Sequence, residues 1–248
     1  MKLVLNPSHR ELESFMLGLP ERFSSLGECI YKARNELRRF AYGGKSYVVK
    51  GYKVPLLINR IAYTFFRPGK AARAYEYAMR LRSMGIETPE PIAYIEIKRR
   101  GLLWHSFFVS EHCPYSGIMR DFEGGNIAGK EDILKAFAAF TVKLHEKGIF
   151  HLDYSAGNIL FERRGDEVLF SILDLNRMRF VRMTPQMCLG NFNRFCRSEK
   201  VVRYVVEEYA RLRGWEVSSS VEIAMQAYRR FWGRIERKDA WKNRRKSF

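Results

Sequence analysis

Two hydrophobic periods divide the chain. In the first half, short runs alternate between apolar and polar positions, as half-buried strands do. Glu28–Ala33, Leu37–Tyr42 and Ser46–Lys50 are three such runs, and Gly43-Gly44-Lys45 marks a hairpin turn between the last two. Glycine supplies the positive φ that a tight turn requires. Residues 69–84 change to a helical period, with Ala72, Tyr75, Met79 and Leu81 forming the expected buried face. After the breaker Thr88-Pro89-Glu90-Pro91, Ile92–Ile97 and Leu102–Ser110 predict two more strands joined by Lys98-Arg99-Arg100-Gly101. The second half is mostly helical. Ile133, Leu134, Phe137, Phe140, Thr141 and Leu144 recur near every 3.6 residues from Lys130 to Lys147, and Gly148 stops that helix. Strands follow at Asn158–Glu162 and Val168–Leu173, then helices from Glu199 and over Val221–Ile235. A five-stranded, one-helix portion thus precedes a larger helical one, with the boundary at Glu111–Tyr115. No repeat and no low-complexity linker interrupts them.

Composition narrows the classes. The 248 residues are 46% hydrophobic, enough for a packed core. No apolar run approaches the roughly 18 residues of a membrane span. The start, Met1-Lys2-Leu3-Val4-Leu5-Asn6-Pro7, lacks the apolar stretch of a secretory signal. Cys29, Cys113, Cys188 and Cys196 show no C-x-x-C spacing, which argues against structural zinc or a disulfide framework and fits a reducing cytosol. The net charge of +17 favours an anionic partner: nucleic acid, an anionic membrane or a phosphorylated substrate. The excess is spread along the chain, and only 234–248 forms a concentrated basic tail, which reads equally well as a solvated helix end.

The segment His151-Leu152-Asp153-Tyr154-Ser155-Ala156-Gly157-Asn158 carries the chemistry. It follows a helix and leads into an apolar strand. An Asp and an Asn five residues apart in an extended loop can face one cleft. Asp153 can accept a proton from an attacking hydroxyl, and the Asn158 amide oxygen can ligate a hard cation. Asp174 ends a second apolar strand, Ile172-Leu173-Asp174-Leu175-Asn176. Asn158 and Asp174 together suit a Mg²⁺ site for a nucleotide triphosphate.

His-x-Asp-x-x-x-x-Asn, then a strand and an Asp, resembles the catalytic and metal-binding loops of the protein-kinase-like fold. The resemblance implies an α+β, bilobal fold: a small antiparallel-sheet N-lobe with one main helix (1–110), a hinge (111–115), and a larger, mostly helical C-lobe (116–248), all one kinase-like domain. It implies that Lys50, in Val48-Val49-Lys50, neutralises ATP phosphates. A helix Glu should pair with Lys50, and Glu76 is the one acid among seven bases between Gly51 and Ile86. Backbone groups of Glu111 and Cys113 would bind adenine, and His151 would brace the loop. The first turn, Tyr31–Leu37, lacks the glycines that cover phosphates in protein kinases, so Lys32 or Arg34 is the candidate phosphate contact there. No Ala-Pro-Glu segment follows Asp174, so no phosphorylation-controlled activation loop is expected.

Within that fold the chain is most similar to bacterial lipopolysaccharide kinases, over Gly27 to Arg179. Lys50, Lys70-Ala71-Ala72-Arg73-Ala74-Tyr75-Glu76, Thr88-Pro89-Glu90-Pro91-Ile92-Ala93-Tyr94, the His151 loop and Asp174-Leu175-Asn176 carry the similarity. It implies ATP- and Mg²⁺-dependent phosphorylation of a Kdo or heptose hydroxyl on lipid A-linked core, with no nucleic-acid partner. A kinase acting on protein or another small molecule is the rival, and a non-catalytic scaffold is disfavoured by the intact residue set. The reaction is then expected at the cytoplasmic face of the inner membrane, through peripheral, salt-sensitive association with an anionic surface. Val54–Arg67, apolar with Arg60 and Arg67, either packs against the small lobe or serves as a secondary anchor.

Overall fold

The computed structural model describes residues 1–244, and residues 245–248 of the basic tail lie outside the described residues. The chain forms two compact units. The first comprises Met1–Pro114 together with Asp174–Asn176, the second Tyr115–Leu173 and the chain from Arg177 onward.

The first unit is built on a six-stranded antiparallel sheet of order β1-β5-β6-β4-β3-β2. Its strands are β1 (Lys2–Leu5), β2 (Glu28–Lys32), β3 (Glu36–Tyr42), β4 (Lys45–Tyr52), β5 (Pro91–Arg99) and β6 (Leu102–Glu111). The β3–β4 hairpin closes on Gly43 and Gly44, both left-handed, with Tyr42 opposite Lys45. Alternation along β4 sends Tyr47 and Val49 to one face and Lys50 and Tyr52 to the other. Tyr47 and Val49 pack with Phe40, Ala93, Ile95, Phe107 and Val109 beneath α1 (Glu13–Leu17) and α2 (Leu19–Arg22). Two further helices follow β4: α3 (Leu57–Phe65) and α4 (Lys70–Ser83). Tyr52 packs with Ala71, Ala72, Tyr75 and Tyr94 under α4, whose alanines let it lie close to the sheet. Gly51 falls on the Tyr47 and Val49 face, where a Cβ would meet the Phe23 ring at 2.7 Å.

The expected strands and the helix over 69–84 are present, and three features differ. Met79 is 37% exposed rather than buried. Residues 1–25, left unassigned by the pattern, supply an edge strand and the helices that close one sheet face. Val54–Arg67 contains a helix of its own, α3, with no buried residue.

The second unit is mostly helical: α5 (Glu131–Glu146), α6 (Pro185–Gly190), α7 (Glu199–Leu212) and α8 (Val217–Arg244). Its short strands are β7 (Gly117–Ile118), β8 (Ile149–His151), β9 (Ile159–Arg164), β10 (Glu167–Ile172) and β11 (Met178–Phe180), paired β10-β9-β7 and β11-β8. Phe137 of α5 anchors the core, stacked on Phe195 at 4.6 Å and Tyr154 at 5.7 Å. The fully buried Tyr154 hydroxyl bonds the Thr141 hydroxyl at 2.8 Å, which fastens the loop after β8 to α5. No described helix is long and apolar enough to cross a membrane.

Candidate active site

In the first unit Lys50 is half-buried on β4, between Leu37 of β3 and Phe108 of β6. Its ammonium donates to Asp174 Oδ1 at 2.7 Å. Asn176 Nδ2 donates to the same oxygen. Oδ2 of Asp174 takes no hydrogen bond among the described residues. Asp174 has a φ of 55°, the left-handed region that Asp and Asn tolerate better than most residues. The Lys50 ammonium also lies 5.5 Å from the Tyr52 ring centre. Burial, and then the Asp174 carboxylate, push the Tyr52 hydroxyl far above its ordinary range, so it stays protonated.

The expected Lys50–Glu76 ion pair is not formed among the described residues. Lys50 is committed to Asp174, and Glu76 is exposed on α4, where its field reaches Lys2 and Glu96. The helix turns its alanines and Tyr75 toward the sheet, which leaves Glu76 outside. Glu111 pairs through its side chain with Lys45 at 2.6 Å, and its N–H donates to Glu90 O at 2.9 Å. That leaves its carbonyl as the group it could offer an adenine amine. Cys113 is partly buried just beyond the strand. Lys32 and Arg34 are exposed on the β2–β3 turn, and Lys32 Nζ lies 3.5 Å from Glu36.

In the second unit the loop after β8 is held by backbone and ring. His151 is buried; its Nδ1 accepts from the Asp153 N–H at 3.0 Å and its Nε2 bonds the Leu173 carbonyl at 3.1 Å. An N–H can only donate and a carbonyl only accept, so the ring carries its proton on Nε2. Asn158 Nδ2 donates to the Asp153 carbonyl at 2.9 Å, and the Asn158 Oδ1 takes no hydrogen bond among the described residues. Two arginines bracket the Asp153 carboxylate: Arg194 Nη2 at 2.8 Å from Oδ1 and Arg177 Nη1 at 3.5 Å from Oδ2. Arg120 closes in from β7's end of the unit; a Cβ on Gly157 would sit 2.1 Å from its Nη2. Sequence reasoning missed these three arginines and the Asn176 contact. Arg177 and Asn176 stand beside Asp174 in the chain. Arg194 and Arg120 carry no local signal, because only the fold brings them to the loop.

Comparison with known proteins adds the family. A model described as the lipopolysaccharide kinase (Kdo/WaaP) family matches residues 31–214. The chain belongs to this family. It is therefore a kinase, a phosphotransferase that uses ATP and acts on a sugar hydroxyl. Among solved structures the kinase is similar to WaaP in complex with acyl carrier protein, at 19% identity and a TM-score of 0.61, covering 93% of this chain and 98% of that one. A structure of WbdD matches at 15% identity and a TM-score of 0.49, covering 78% of this chain and 43% of that one. No curated protein matches the sequence. The expected fold class and family are those found. Among the described residues of the kinase, no three His, Cys, Asp or Glu side chains cluster as metal ligands. Mg²⁺ makes no such demand, since it keeps several waters and takes phosphate oxygens with one or two protein ligands.

Proposed function

We propose that this kinase phosphorylates a Kdo or heptose hydroxyl of lipopolysaccharide inner core joined to lipid A, at the cytoplasmic face of the inner membrane. The observation that carries the reading is the Asp153 carboxylate held between Arg194 and Arg177, with Arg120 at the same loop. An acceptor rich in carboxylate or phosphate suits two guanidiniums on the base and a third at Gly157 of the same loop.

In this reading Asp153 orients the acceptor hydroxyl and takes its proton as the oxygen attacks the γ-phosphorus. His151 fixes the Asp153 backbone, so the carboxylate is positioned before the acceptor arrives. Lys50 neutralises nucleotide phosphates. Asp174 Oδ2 and Asn158 Oδ1, which take no hydrogen bond among the described residues, are the groups that would hold Mg²⁺, which when bound offsets charge on the transferring phosphoryl group. The carbonyl of Glu111 and the backbone of Cys113 receive the adenine. Positioning and charge neutralisation supply most of the acceleration, because phosphoryl transfer asks little covalent chemistry of the protein.

The test offers labelled ATP with lipid-linked core, deacylated core oligosaccharide and a set of proteins and soluble alcohols. One phosphate gained on a core sugar, absent with Asp153→Ala, is the expected result. Label on protein or a soluble metabolite, and none on core sugar, overturns the reading.

A further inference from the structure

Helix α3 is docked the wrong way round for a surface helix. Its polar side chains hold it to the sheet: Arg60 Nε donates to Leu103 O at 3.0 Å, and the guanidinium lies 4.8 Å from the Trp104 ring centre. The Thr64 hydroxyl accepts from Leu103 N–H at 3.0 Å while donating to Arg60 O at 2.7 Å. The apolar side chains face away. Ile58 is 75% exposed, Phe65 67% and Phe66 82%, with Leu56, Leu57 and Ile61 beside them. An ordinary surface helix buries its apolar stripe and wets its polar one. Reversing the two leaves a contiguous apolar ridge that no described residue covers.

The rim of that ridge is basic. Exposed Lys53 precedes it and Arg67 follows, its guanidinium 4.6 Å from the Tyr63 ring centre. The end of β5 and the turn after it add exposed Lys98, Arg99 and Arg100. Trp104 ties this turn to α3, since its ring centre takes Arg99 at 5.2 Å as well as Arg60. No acidic residue occurs between Gly51 and Tyr75. A second copy docking ridge to ridge would bring two such rims together at a cost in repulsion. An anionic lipid surface meets both features at once: acyl chains for the ridge, headgroups for the rim.

We propose that α3 with the β5–β6 turn is an interfacial anchor that seats the first unit on an anionic bilayer. The anchor goes beyond the choice of acceptor and needs neither ATP nor core sugar. Flotation of the full chain with vesicles of phosphatidylglycerol, and of phosphatidylcholine alone, reads it directly. Wild type should float with the anionic vesicles at low salt. A chain carrying Ile58→Ser, Phe65→Ser and Phe66→Ser should lose about tenfold or more in partition. Arg99→Ser with Arg100→Ser should move release to lower salt. Both variants change exposed side chains, and turnover on deacylated core should stay at wild-type level. Equal flotation of the triple-serine variant and wild type overturns the proposal. So does a lipid-free dimer, or a complex with an acidic protein, that the triple-serine variant dissolves while vesicle binding is unchanged.

Discussion

Asp174 has one oxygen engaged and one open, and Lys50 is the reason. With its ammonium 2.7 Å away on Oδ1, the carboxylate keeps its charge partly balanced at a half-buried position. Lys50→Met should lower kcat by about a hundredfold or more, since phosphate neutralisation acts mainly in the transition state. The same change should cost about 1–2 kcal/mol of stability, because Asn176 still bonds the carboxylate. Glu76→Gln should change kcat/KM by less than about twofold, because its exposed carboxylate does not reach Lys50. Steady-state kinetics of the two variants separate these effects, and a large loss in Glu76→Gln would restore the ion pair expected from sequence. The positions of Lys50, Asp153, Asn158 and Asp174 were legible because each sits in a short motif at fixed spacing. The partner of Lys50 was not, since a lone acid among bases says nothing about the helix face it occupies.

Helix α5 is joined to α7 and to the chain before it through His145. This buried ring bonds the Tyr209 hydroxyl at 2.9 Å and Asn191 Oδ1 at 3.1 Å. Burial lowers its pKa to about 4 despite the Asn191 bond, and Arg213 adds to the lowering. The unfolded chain, with an ordinary histidine near 6.5, therefore binds the proton more readily than the folded one. Stability should be full above about pH 6.5 and decline between there and pH 4, by on the order of 3 kcal/mol in all. Thermal midpoints measured across that range should fall, and His145→Gln should flatten the slope over the same range. An unchanged slope would place the acid-sensitive group elsewhere. Periodicity found α4, α5, α7 and most strands because each buries a regular stripe. It gave no helix for α3, whose stripe faces outward, or for α1 and α2, too short to show a period.

The charge of +17 acts on the whole molecule. Attraction between dispersed basic side chains and an acidic acceptor is screened within about 8–10 Å at physiological salt. Raising NaCl from about 50 to 500 mM should lower kcat/KM for core acceptors by about tenfold, carried by KM with kcat nearly constant. A salt-independent KM would mean that uncharged contacts alone select the acceptor. Composition announced this field from the start, yet could not say that Arg120, Arg177 and Arg194 concentrate it at one loop.

The first unit also borrows Asp174–Asn176 from late in the chain, 124 residues beyond Lys50. On the ribosome, the first 114 residues emerge with every strand of their sheet but without the carboxylate that matches Lys50. At about 5–20 residues per second, that cation waits several seconds for its counter-charge. The sheet can assemble during synthesis, but its Lys50 corner is finished only after β10 has left the exit tunnel. A fragment ending at Pro114 would therefore keep the sheet's pairing and carry an ammonium with no acid of its own.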